Sequence, residues 1–249
     1  MNKRSLLALA LLALLVSCTE ETEEISINFG YEFYPLEVGK TWVYEVDSIV
    51  LSRQGTEVDT STIFFREEII ETRPGDAGDS LFVVERFERR SDTAEWQIRD
   101  VFSLSRNATQ AFRTEDNLRF VKMIFPVRRG DRWDGHQFFN PTVRLEVGGE
   151  LMPVFENWNY QYTTVTDELI TISQAEFEDV RQFRRAEEQY EAGTGLVYRR
   201  VEVYDSACDR CCDKNTGDPL CSALPWYISA GSSEYKAEKG FILEQRLVE

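Results

Sequence analysis

From Tyr31 onward, apolar and polar positions alternate with period two in short runs rich in β-branched and aromatic residues, the pattern of strands with one face buried. Trp42, Tyr44 and Val46 share one face of such a strand, and Glu45 and Asp47 take the other. Val143, Leu145 and Val147 alternate with Arg144 and Glu146 up to Gly148-Gly149, a pair that supplies the positive φ angles of a tight hairpin, and an apolar position returns at Leu151. Val197, Val201 and Val203 make another stripe, and Phe241, Leu243 and Leu247 the last. One segment is equivocal: in EFEDVRQFRRAEEQY, Phe177, Val180, Phe183 and Tyr190 also fall at helical spacing among good helix formers. The pattern as a whole predicts an all-β fold, an antiparallel and strongly curved sheet or partly open β-barrel with at most one or two short helices.

Before Tyr31 the pattern is different. MNKRSLLALALLALLVSC sets Lys3 and Arg4 ahead of an apolar run from Leu6 to Val16, well short of the roughly 20 residues that span a bilayer, so residues 1–17 read as a lipoprotein signal peptide. Leu15-Val16-Ser17-Cys18 resembles the bacterial lipobox, which implies cleavage before Cys18 and acylation of that cysteine. Several acyl chains on one residue hold a protein to a membrane far better than one. Residues 18–30, acidic from Glu20 to Glu24, lack apolar periodicity and read as a solvated tether, and residues 31–249 as a single β domain. The acidic stretch also resembles the short export signal of Bacteroidetes lipoproteins. A lipid anchor in the outer membrane is therefore expected, with the periplasmic and cell-surface faces both open.

Charge narrows the partners. The chain carries a net charge of -16, and loss of Lys3 and Arg4 takes it to about -18. Nucleic acid is not an expected partner of so acidic a body. With 29% charged and 12% aromatic residues, the composition suits a globular domain and not a disordered one.

Two segments 91 residues apart match each other: YPLEVGKTW from Tyr34 and FPVRRGDRW from Phe125. Pro restricts φ, Gly permits a turn, and the Trp then enters a strand, so Trp42 and Trp133 are expected as core caps or ligand-facing aromatics. With the lipobox, the YPLEVGKTWVYEV start, FEDV at 177–180, YEAGTGLVYRR at 190–200 and the closing GFILEQRLV, the chain resembles a family of uncharacterised Bacteroidetes lipoproteins. The resemblance implies that the first motif opens the β domain and that Gly193-Thr194-Gly195-Leu196-Val197 starts a late strand; it also favours a strand over a helix at 177–190. It implies no activity. Gly193 and Gly195 are not a dinucleotide fingerprint, because Tyr198 occupies the third glycine's place. His136, the one histidine, is expected at a strand edge in a surface or cross-strand role, and adjacent carboxylates such as Glu67-Glu68 and Glu187-Glu188 are expected to solvate the surface.

The stretch CDRCCDKNTGDPLC, within a loop at 205–224, holds Cys208, Cys211, Cys212 and Cys221. In an exported protein an even number of exposed thiols is expected to form disulfides. Neighbouring Cα atoms lie about 3.8 Å apart, too close for Cys211 to pair with Cys212. Two connectivities remain: 208–211 with 212–221, and 208–212 with 211–221. Zinc on Cys208-x-x-Cys211 and calcium on Asp213, Asn215 and Asp218 are the competing readings. Ser48, Ser80, Thr93 and Ser206 each follow an aspartate and precede a small or aliphatic residue, a pattern that resembles the O-glycosylation acceptor of Bacteroidetes.

These features lead to the expectation of a membrane-anchored envelope protein with a binding or structural role and no cofactor. Its expected partners are the membrane through acylated Cys18 and an apolar small molecule in a curved sheet, or an envelope protein. Two rival functions are a surface glycan hydrolase built from a carboxylate pair and a cation-dependent adhesion module built on the cysteine loop.

Overall fold

The computed structural model describes residues 28–53, 55–75, 80–206, 226 and 236–249. Cys18 and the four loop cysteines, with Asp213, Asn215 and Asp218, lie outside these residues. A 3-10 turn, Tyr31–Phe33, leads into β1 (Thr41–Ser52), β2 (Glu57–Pro74), β3 (Ser80–Arg89), β4 (Gln97–Arg106), β5 (Gln110–Glu115) and β6 (Leu118–Ile124). Then follow β7 (Arg132–Trp133), a small hairpin of β8 (Leu145–Val147) and β9 (Glu150–Met152), and β10 (Trp158–Val165). The last strands are β11 (Leu169–Glu178), β12 (Gln182–Glu191), β13 (Gly195–Asp205) and β14 (Lys239–Leu247).

Twelve strands form one antiparallel sheet in the order β6-β5-β4-β3-β2-β1-β14-β13-β12-β11-β10-β7, curled into a nearly closed barrel; β8 and β9 form a separate pair. The order contains two six-strand meanders. The first strand of one, β1, pairs along its length with the last strand of the other, β14, from Tyr44 opposite Leu247 to Leu51 opposite Gly240. At the opposite seam β7 approaches β6 in the equivalent way, but through few bonds: Val121 N donates to Gly135 O at 2.9 Å and Trp133 Nε1 to Val121 O at 2.9 Å. The matched sequence motifs lead into β1 and β7, and in each the glycine has a left-handed backbone, φ 88° at Gly39 and 93° at Gly130.

Local chemistry accounts for the elements. Trp42, Tyr44 and Val46 point inward as their alternation requires, 6%, 1% and 2% exposed. The equivocal segment is β11, a turn and β12: Asp179 Oδ1 accepts from the backbone N–H groups of Arg181 and Gln182 at 2.7 Å each, which closes the turn and leaves Val180 exposed. Gly148 and Gly149 (φ 59° and 81°) make the expected hairpin, which Glu150 pins to the end of β1 by accepting from Arg53 N at 2.9 Å.

The apolar interior is divided. One cluster gathers Phe33, Tyr34, Trp42, Tyr44, Ile170, Ile172 and Tyr190; a second gathers Met152, Val154, Phe155, Ala175, Ala186 and Val201 beneath the β8–β9 hairpin. On each of several strands a polar residue stands between members of the two: Glu188 between Tyr190 and Ala186 on β12, Arg199 between Leu196 and Val201 on β13, Lys122 between Met123 and Phe120 on β6.

At Gly240 (φ 145°), a Cβ would lie 2.1 Å from the Val203 carbonyl oxygen, whereas at Gly39 it would meet nothing. Gly240→Ala is expected to cost at least about 2 kcal/mol and Gly39→Ala about 1 kcal/mol, by denaturant unfolding followed by tryptophan fluorescence.

Candidate functional site

The layer between the clusters contains four carboxylates and four cations in two groups. In the first, Glu67 on β2 accepts from Arg86 Nη2 at 2.6 Å and from Arg113 Nη2 at 3.2 Å. Arg86 Nη1 reaches Asp100 and Glu115, and Arg113 Nε donates to Glu115 at 2.7 Å. The two guanidinium groups lie against Phe102, 5.0 and 3.8 Å from the ring centroid. In the second group a single carboxylate, Glu188, accepts from Lys122 Nζ at 2.6 Å and from the Tyr190 hydroxyl at 2.6 Å, with Arg199 Nε 3.6 Å away. The first group thus has three carboxylates for two inward cations, with exposed Arg99 3.8 Å from Asp100 outside it, and the second two cations for one close carboxylate.

That partition sets the ionisation. Burial raises the Glu67 carboxyl, but Arg113 and Arg86 outweigh it and hold the group below the usual range. Glu115 is likewise held well below its ordinary value against burial by Arg113 and Arg86, and Glu188 by Lys122 and Arg199. Asp100 goes the other way, because burial outweighs its share of Arg86. Lys122 is pulled down to about 8 by burial, and Arg199 and Arg113 act in the same direction against Glu188. Burial raises the phenols of Tyr44, Tyr160 and Tyr190 well above their ordinary value, so they remain donors.

Two cavities flank this layer and share Arg113, Lys122 and Arg199 in their walls. The smaller, near Tyr34, Trp42 and Tyr44, has a volume of about 40 Å³, room for a few waters. The larger, about 210 Å³, is walled by Phe120, Phe155, Trp158, Tyr160, Val201 and Phe241, with Leu145 of the hairpin over it. Gln174 also lines it. β11 has a bulge between Ser173, opposite Glu187, and Ala175, opposite Ala186; Gln174 is the extra residue and continues the inward phase of Ile170 and Ile172. It is 1% exposed, and neither its Oε1 nor its Nε2 has a hydrogen-bond partner.

The structure corrects three sequence expectations. His136 is not at a surface strand edge: it is 3% exposed, ringed by Phe120, Phe139, Phe155, Trp158 and Tyr160, and burial pulls its pKa down to about 4. The carboxylate pairs are not both solvating, since Glu67 and Glu188 point inward (3% and 1% exposed) while Glu68 and Glu187 take the other face. Both inward residues occupy the apolar phase of their strands, Phe65-Glu67-Ile69 and Ala186-Glu188-Tyr190, a signal the sequence carries. Ser206 is buried at 4% exposure, so a glycan there would require local opening. Ser80 and Thr93 are exposed, and half-buried Ser48 hydrogen-bonds Ser61 at 2.9 Å.

Trp42 lines the smaller cavity and donates to Thr194 O at 2.7 Å; Trp133 packs on Tyr162 and lines neither cavity. Among the described residues, no group of three or more His, Cys, Asp or Glu side chains is placed to hold a metal ion, and no helix is long and apolar enough to cross a membrane. The chain matches no protein-family model and no curated protein.

Gln174→Met keeps the side-chain length and removes a buried amide without partners, so it is expected to raise unfolding free energy by about 1–2 kcal/mol in denaturant titration. Because His136 is held neutral in the fold, the unfolded chain binds its proton first. Its contribution to stability is therefore complete above about pH 6.5 and is lost as pH falls towards 4. Unfolding measured at pH 7 and pH 4 should show wild type losing about 3 kcal/mol more than His136→Phe.

Proposed function

We propose that this protein is a lipid-anchored envelope protein, acylated at Cys18 and held at the outer membrane, whose barrel binds a small apolar ligand without chemical change. The observation that carries the reading is the larger cavity, aromatic on its walls and polar on one side, under a separate hairpin. Its volume of about 210 Å³ lies below the roughly 300 to 1,000 Å³ of drug-sized pockets, which favours a compact ligand over a long acyl chain. Concave apolar walls exclude water, and a few polar groups orient what enters.

The hydrolase alternative fits less well. A glycosidase acid must hold a proton near neutral pH, and the inward carboxylates that line the cavities, Glu67, Glu115 and Glu188, are all held ionised by arginine or lysine. Asp100, whose pKa is raised, lines neither cavity.

Two measurements test the proposal. Intact mass of protein purified from membranes is expected to begin at a lipid-modified Cys18, and Cys18→Ala to move the protein into the soluble fraction. Calorimetric titration of the protein in lipid nanodiscs with 3-phenylpropanol, corrected with empty nanodiscs, should show saturable binding that Val201→Phe weakens at least tenfold by filling the cavity. An absence of saturable heat in wild type contradicts the binding role.

A further inference from the structure

We infer that the larger cavity takes a small amphiphile with one anionic head, a carboxylate seated on Lys122, Arg199 and Gln174, with its apolar body against Phe120, Phe155 and Trp158. The inference rests on the binding role proposed above and specifies the chemistry of its ligand.

The first support is the local charge. Lys122 Nζ and Arg199 Nε converge on the same Glu188 oxygen, at 2.6 and 3.6 Å, so two cations share one carboxylate. The third cation in the cavity wall, Arg113, is already paired with Glu67 and Glu115; Glu115 also lines the cavity and interacts with Arg199, and exposed Asp116 stands at its rim. Lys122 is buried and Arg199 partly exposed, and a bound anion would give the pair a second close acceptor.

The second support is independent of charge. Arg199 Nε has no hydrogen-bond partner, and Gln174, all but fully buried, has neither amide atom partnered. Buried polar groups in folded proteins are paired in the great majority of cases, so three unpaired atoms on residues lining one cavity point to a missing polar group. A carboxylate accepts from the Gln174 Nε2 and from the Arg199 guanidinium, whose planar donors match its two oxygens. Gln174 Oε1 is left to accept from a water or a ligand hydroxyl. A cationic ligand would meet Lys122 and Arg199 as like charges, and a neutral one would give the unpaired Arg199 Nε and Gln174 Nε2 donors no ionised acceptor.

The third support is the wall opposite. Phe120, Phe155 and Trp158 present ring faces and edges to the cavity, with Phe155 5.3 Å from Phe120 and 5.5 Å from Trp158 between centroids. Such a wall receives an aromatic or branched body and offers it no hydrogen bond.

The test compares three probes of one shape, 3-phenylpropanoate, 3-phenylpropanol and 3-phenylpropylamine, by calorimetry on the purified protein in nanodiscs. The carboxylate is expected to bind at least tenfold more tightly than the alcohol and the amine least tightly. That advantage should disappear in Arg199→Gln and shrink severalfold in Gln174→Met. If Arg199→Gln is unfolded by circular dichroism, Gln174→Met carries the comparison. Equal affinity for carboxylate and alcohol, tighter binding of the amine, or an advantage unchanged in the folded variants overturns the anionic head while leaving the apolar cavity in place. Binding of none of the three overturns the inference and the binding role together.

Discussion

The layer of ion pairs across the barrel interior is the constraint on which the rest of the structure depends. Strands that bury one face ordinarily fill it with apolar side chains, yet here Glu67, Arg86, Arg113, Lys122 and Glu188 are all nearly withdrawn from water. Taking charges out of water costs several kcal/mol each, and mutual attraction offsets this only where geometry is good and every lone pair finds a donor. The Glu67 carboxylate lies between two guanidinium groups with an aromatic ring against both, whereas Asp100 Oδ1 in the same group is buried without a partner. Removing one partner would leave the others buried and unanswered, so the layer ties β2, β3, β4 and β5 into one arrangement.

The same layer decides where empty space can exist. Ionic side chains are long, and their registers are set by partners and not by packing volume, so the apolar clusters on the two sides stay distinct and meet at Trp158. The cavity under the β8–β9 hairpin lies on one side of that boundary, where Lys122, Arg199 and the inward Gln174 line it. The smaller cavity shares these cations, but the unpaired Gln174 amide and the wall of Phe120, Phe155 and Trp158 belong to the larger one alone. Binding, and not acid–base chemistry, suits a site whose carboxylates are held ionised and whose phenols are held protonated.

Much of the architecture was legible from period-two alternation. The Trp42-Tyr44-Val46 face, the Gly148-Gly149 hairpin and the Gly193-Gly195 turn all stand where the residues predicted them, because each depends on near neighbours. The matched motifs at Tyr34 and Phe125 marked more than a corner: they precede the first strands of the two meanders, a relation visible only once strand order is known. The site was less legible for three physical reasons. Glu67 and Glu188 read as surface charges although their phase is apolar, because a carboxylate in an apolar phase looks like an error in the pattern until its partner on another strand is seen. Gln174 continues the Ile170-Ile172 phase, but an amide there names no partner until the cavity it faces is seen. His136 lies in a turn that the aromatic residues of distant segments enclose, and no local spacing encodes that enclosure.

The central claim is that the space between Gln174, Lys122 and the aromatic wall is a ligand site. A crystal structure of the protein grown with 3-phenylpropanoate tests it most directly. The account predicts the ligand inside the barrel, its carboxylate within hydrogen-bonding distance of Gln174 Nε2 and Lys122 Nζ and its ring against Phe155 and Trp158. Ordered waters alone in that space, satisfying the Gln174 amide, with the ligand absent or on the outer surface, would contradict it.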